Sequence, residues 1–214
     1  MRLQELLNEG YSKGRPVICV DVQPAYMDYT PNQYKWSVAS FLAEHKAPIL
    51  MYVNAEQEGL TSDNIQNDII PMWHELFEEV GHDFEEDGAP KMEWFDKGYG
   101  YLRSWMDIGV QDKYIVAVIR EMYSQKVHDS RDLFGGDEEK IAEYLKPVAR
   151  SLNTEPETLV GDPMVVGWTA IDQLKRYNNC YLIGGGRNEC LKEVALLMNA
   201  FNIKYKLIDE LIYG

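Results

Sequence analysis

The stretch that most limits what this chain can become runs from 180 to 208, CYLIGGGRNECLKEVALLMNAFNIKYKLI. Cys180-Tyr181-Leu182-Ile183 is a short apolar run that stops at Gly184-Gly185-Gly186, as a buried parallel strand does. Asn188 then suits the N-cap of a helix whose Leu191, Val194, Ala195, Met198 and Phe201 recur at the spacing of a core-facing stripe. Asn202 fits the helix stop, and 203–208 alternates as a second strand does. The pattern is one strand–helix–strand unit, and its crossover is expected to be right-handed.

With Asn188 as N-cap, Cys190 takes the second helical position, where backbone N–H groups lack partners and the helix dipole is positive. A thiol held there is stabilised as a thiolate, the usual physical route to a nucleophilic cysteine. The glycines before it let a substrate approach the backbone closely. The same position also suits a small residue packing a helix start.

The 214 residues are enough for one α/β domain with a sizeable core. The net charge of −14 argues against a nucleic-acid or anionic-membrane partner and leaves room for a small-molecule substrate. The three cysteines, Cys19, Cys180 and Cys190, lie in or beside apolar runs with no disulfide spacing, which fits a reducing cytoplasm. Met1 to Leu7 is too short and charged to read as a signal peptide, and no apolar run reaches membrane-spanning length.

Along the chain, 2–9 reads as a short amphipathic helix ended by Gly10. Pro16 to Val22 is then a β-branched strand closing on Asp21. A carboxylate at the carboxyl end of a central strand lies where open α/β sheets place their sites, although Gln23-Pro24 also makes Asp21 a candidate turn residue. The spacing predicts a helix over 33–46 and a second strand over 48–53, ending at Asn54-Ala55-Glu56. From Glu56 the composition shifts: no Lys or Arg occurs between Lys46 and Lys91, while acids crowd together among dense aromatics. This predicts an acidic, aromatic helical insertion at about 56–112, with a helix broken at Pro71, a loop around 81–88 and a helix over 99–106. The insertion reads as a solvated face over a satellite core, or as a lid or partner surface. Its exposed aromatics would suit a homodimer.

Tyr114 to Ile119 reads as the clearest strand in the chain and runs into Arg120. A polar turn over 123–132 follows, then an amphipathic helix over 137–152, a short strand or buried loop over 163–168, and a helix from Thr169 to Tyr177. The sum is a single domain over 1–214: a three-layer, doubly wound, mostly parallel sheet with helices on both faces.

Val20-Asp21-Val22-Gln23-Pro24-Ala25-Tyr26 resembles the DxQxxF opening of the isochorismatase-like cysteine hydrolases, with Tyr26 in the aromatic place. Gly184 followed six residues later by Cys190 at a strand-to-helix turn is similar to that family's nucleophile turn. The resemblance implies a parallel sheet flanked by helices. It also implies hydrolysis of a C–N bond in a small amide or ureido compound, without a cofactor. By position it makes Asp21 the general base and Cys190 the nucleophile, and it lets the family's lysine fall on Arg120. Gln23, Tyr26, Gly185, Gly186 and Glu189 would line the substrate, with backbone N–H groups near Glu189 and Cys190 receiving the oxyanion. The nicotinamidase branch's metal-binding residues are missing after the second strand, so no metal is expected there. The stretches 96–102 and 120–133 also resemble proteins of tailed phages, which carries no activity with it.

Two other classes fit the same residues. Asp21, Glu56 and Asp129 at strand ends could gather Mg²⁺ in a Rossmann-like nuclease or phosphatase, against which the net charge counts. The chain could also be a catalytically inactive hydrolase-like scaffold whose acidic insertion binds a protein partner.

Overall fold

The computed structural model describes residues 14–27, 30–54, 64–83, 87–97 and 102–213. The helix expected over 2–9 and Glu56 lie outside them. Five strands form one sheet: β1 (Val17–Val20), β2 (Ile49–Val53), β3 (Met92–Asp96), β4 (Cys180–Gly186) and β5 (Tyr205–Tyr213). Their order is β3-β2-β1-β4-β5 and every neighbouring pair is parallel. The fold is the expected α/β class, a doubly wound parallel sheet flanked by helices. Every residue of β1 and β2 is buried, which is why both read as unbroken apolar runs. The winding reverses between β1 and β4, and open α/β sheets place their crevice at the carboxyl ends of the strands on either side of such a switch.

Spatially the chain forms two compact units, Met1–Tyr99 with Tyr177–Leu191 and Lys204–Gly214, and Gly100–Arg176 with Lys192–Ile203. The first holds the sheet. A single helical turn, α1 (Pro24–Met27), follows β1, and α2 (Asn32–Ala43) leads to β2. A π-helical turn (Ile65–Ile69) then runs into α3 (Ile70–Glu79). Asn64 caps this pair by accepting from the Gln66 and Asn67 N–H groups, and Pro71 sits in the first turn of α3, where its missing N–H costs nothing. The helix is thus restarted at Pro71, as the sequence suggests. Cys19, Met51 and Ile183 from the strands pack with Phe41, Leu42, Trp73 and Phe77 from α2 and α3.

The second unit is helical: α4 (Leu102–Asp107), α5 (Asp112–Gln125), a 3-10 turn (Ser130–Gly135), α6 (Glu138–Leu152), α7 (Pro156–Gly161) and α8 (Trp168–Arg176). The final helix, α9 (Cys190–Ala200), begins in the first unit and continues in the second. Trp105 is fully buried and its Nε1–H donates to the Asp162 carbonyl at 2.6 Å. Among the described residues, no helix is long and apolar enough to cross a membrane.

Two sequence expectations fail. The run 114–119 is not a strand but the middle of α5, where burial recurs at Ile115, Val118, Ile119 and Met122. That is helical spacing, and the apolar run is too short for its composition to separate the two states. Conversely, β3 lies inside the stretch expected as a helical insertion. It is an edge strand with only half-buried or exposed residues, so Met92-Glu93-Trp94-Phe95-Asp96 carries no apolar run to betray it.

Candidate functional site

The carboxyl ends of β1, β2, β3 and β4 bring together Asp21, Asn54, Lys97 and the turn that leads to Cys190. Asp21 follows β1 directly and adopts a left-handed backbone, φ 49°, which a non-glycine residue holds only when its surroundings enforce it. Its N–H donates to the Tyr52 carbonyl at 3.0 Å, and the Trp73 indole donates to the Val22 carbonyl at 3.1 Å, fixing the chain on either side. The carboxylate is buried. Oδ2 accepts from the Lys97 ammonium, and the two side chains are 1% and 8% exposed, so the ion pair is sealed from water. Oδ1 is also buried and, among the described residues, has no hydrogen-bond partner.

Lys97 is the first residue after β3. Its N–H donates to the Val53 carbonyl at 2.8 Å, extending the β2–β3 ladder and holding the lysine at the strand end. Sequence reasoning missed it because β3 was missed. The available signal was the aromatic pair Trp94-Phe95, good strand formers, with Lys97 two residues behind it.

Cys190 reaches the same edge through the glycine turn. Val20 pairs with Gly184, so Gly185 stands beside Asp21. Gly184 has φ 88°, and a Cβ there would lie 2.7 Å from Val20 N and closer still to the Val20 carbonyl oxygen, so only glycine fits. A Cβ on Gly185 would lie 3.4 Å from both Cys190 Cβ and Leu191 N. Its absence leaves open the space in front of the thiol and the first turn of α9. Cys190 is the first residue of α9 rather than the second, and Asn188 lies exposed in the turn before it. Glu189 is likewise exposed, its side chain packs beside Gly186, and its N–H donates to the Gly186 carbonyl at 3.1 Å. That N–H is therefore engaged within the turn, and the N–H groups of Cys190 and Leu191 follow it at the start of α9.

The three thiols are not alike. Cys19 and Cys180 are buried while Cys190 is partly exposed. Burial pushes the Cys180 thiol up to about 12, and burial, helped by the Asp21 charge, pushes Cys19 up as well. Neither is a nucleophile at neutral pH.

Tyr26, on α1, ties the set together. Its phenol is driven upward by burial first and then by the negative charges of Asp21 and of a Cys190 thiolate, while Lys97 and a hydrogen bond from the Asn54 side chain pull the other way. All four groups therefore act on one ring hydroxyl. Gln23 has a different role from the substrate contact expected of it. It is 1% exposed, its Nε2 donates to the Asn54 carbonyl at 2.8 Å and its Oε1 accepts from the Asn54 N–H at 2.9 Å. Gln23 thus locks the end of β2 rather than lining a pocket.

Arg120 is placed elsewhere. On α5, its Nε donates to the Ala200 carbonyl at 2.8 Å and its Nη2 to the Asn199 carbonyl at 3.1 Å, closing the carboxyl end of α9. Cys190 is the first residue of that 11-residue helix, and Arg120 holds its last. The cation that pairs with Asp21 at the strand ends is Lys97. Asp129 caps the 3-10 turn and binds Arg131 at 2.6 Å. Burial opposes its charge, yet hydrogen bonds from Arg131 hold its carboxyl below the usual range. With Asp21 committed to Lys97 and Asp129 to Arg131, neither stands in a shared acidic cluster, and among the described residues no three His, Cys, Asp or Glu side chains gather as a metal site.

No family model matches this chain, and no curated protein and no solved structure matches it.

Proposed function

We propose that the chain is a cysteine hydrolase of the isochorismatase-like kind, cleaving the C–N bond of a small amide or ureido compound without a cofactor. The observation that carries this reading is the sealed Asp21–Lys97 ion pair at the strand ends that also present Cys190. Lys97 neutralises one carboxylate oxygen and fixes its position, and the other oxygen, Oδ1, is left to accept a proton. In the reaction Asp21 takes the Cys190 Sγ–H proton and Sγ bonds to the carbonyl carbon. The developing oxyanion lies against the N–H groups at the start of α9. The tetrahedral adduct collapses as the C–N bond breaks, and the leaving nitrogen takes the proton back from Asp21. Asp21 then deprotonates a water, which attacks the thioester carbon. The acid departs and Sγ regains its proton, so the enzyme returns to its starting state.

The test is ammonia release from a panel of small primary amides and ureido compounds. Activity on at least one of them should vanish in Cys190→Ala while the thermal midpoint stays within a few degrees. An undiminished rate in that variant overturns the reading.

A further inference from the structure

Asn54 has one polar atom that the fold does not use. Its N–H is held by Gln23 Oε1 at 2.9 Å, its carbonyl by Gln23 Nε2 at 2.8 Å, and its side chain hydrogen-bonds with the Tyr26 hydroxyl. The residue is 7% exposed, yet among the described residues Oδ1 has no partner. A buried amide oxygen without a donor is costly, and here Gln23 fixes the backbone of Asn54 while Tyr26 holds its side chain, so the residue has little freedom to turn the oxygen away. The atom lies at the end of β2, directly beside β1, whose end carries the other orphaned oxygen, Asp21 Oδ1. Two unsatisfied acceptors on adjacent strand ends mark a place completed from outside by a ligand with hydrogen-bond donors.

We infer that Asn54 sets substrate specificity: its Oδ1 accepts an N–H of the group being cleaved, so the substrate is an amide or ureido compound with free N–H hydrogens rather than a fully substituted amide or an ester. This deepens the reading of Cys190 as nucleophile and rests on it. Asp21 Oδ1 is left for the proton, and Asn54, which stays neutral at every working pH, recognises the nitrogen without competing for that proton. A site built to receive an N–H discriminates strongly against a ligand that lacks it, because its own polar atom is then left bare.

Thiol alkylation reads this without knowledge of the natural substrate. Iodoacetamide carries two amide N–H hydrogens and 2-iodo-N,N-dimethylacetamide carries none. Rates at Cys190 are followed by mass spectrometry and divided by those of free cysteine with the same reagent. The wild-type protein should favour iodoacetamide by about tenfold, the worth of one hydrogen bond at this depth. Asn54→Leu should lose that preference, read as the ratio of the two normalised rates within the variant, and Asn54→Asp, which keeps an acceptor, should retain most of it. Equal normalised rates in the wild-type protein overturn the proposal whether or not the variants fold, as does a preference unchanged in Asn54→Leu. The pH profile with the dimethyl reagent reports thiolate activation alone, so failure of the nucleophile reading is seen separately from failure of the Asn54 assignment.

Discussion

Lys97 and Asp21 form an ion pair that is almost wholly buried, joining the residue after an edge strand to the residue after a central one. Such a pair is weak evidence for stability as a unit but severe when halved, because a lone buried charge has nothing to offset its lost hydration. Lys97→Met should therefore cost about 3–5 kcal/mol. Asp21→Asn with Lys97→Met should recover most of it, since Asn tolerates the left-handed backbone at 21 and carries no charge. Urea denaturation of the two single variants and the double variant checks this. Additive losses would show that the pair is not coupled.

The glycine turn makes two distinct predictions. Gly184→Ala drives a Cβ into the Val20 backbone at a positive φ and should destabilise by about 3 kcal/mol or more. Gly185→Ala meets the Val20 carbonyl oxygen at a tight 3.3 Å but without the severe overlap of Gly184, should cost about 1–2 kcal/mol for its left-handed backbone, and should slow alkylation at Cys190 by filling the space before it. Melting curves and alkylation rates of the two variants separate the steric role from the functional one.

How much of this was legible beforehand depends on burial. The strand ending at Asp21 and the strand before the glycine turn declare themselves because Val17–Val20 and Cys180–Ile183 are buried and apolar, and α9 does so by the periodic burial of Leu191, Val194 and Met198. Lys97 stays hidden because β3 is an edge strand with charged positions, and its parallel partner is more than forty residues earlier. The run 114–119 misleads for the opposite reason: a buried helix face with a valine–alanine–valine centre looks like a strand until Ile115, Val118, Ile119 and Met122 are seen to share one side. With that strand expected, Arg120 reads as a strand-end cation, whereas the residue that follows a strand and pairs with Asp21 is Lys97. Asn54 could not be singled out at all, since its orphaned oxygen exists only once Gln23 and Tyr26 have taken its other groups.

Arg120→Ala removes two hydrogen bonds to the last carbonyls of α9 and should cost about 1–3 kcal/mol. Alkylation at Cys190 should keep its rate and pH profile. A tenfold fall in that rate, with the fold intact, would return Arg120 to the site.

The buried thiols set an alkaline limit. Cys19 and Cys180 titrate higher in the folded chain than in the unfolded one because burial disfavours their thiolates. Their contribution is therefore fully present below a pH of about 9 and is lost as pH rises toward about 12, by roughly 1.4 kcal/mol per pH unit per thiol where only the unfolded chain is ionised. Urea midpoints between pH 8 and 11 should fall accordingly, and Cys180→Ala should make the fall less steep. An unchanged slope in that variant would show that Cys180 is not held as the neutral thiol.

The central claim is that Cys190 is a thiolate nucleophile prepared by Asp21 and Lys97. The pH dependence of its alkylation in the native protein, read by mass spectrometry for wild type and Lys97→Met, tests this most directly. The account predicts that the wild-type thiol reacts well below the roughly 8.5 of a free cysteine and that the variant loses this advantage. A wild-type Cys190 that titrates like free cysteine, or resists the reagent at every pH, would contradict it.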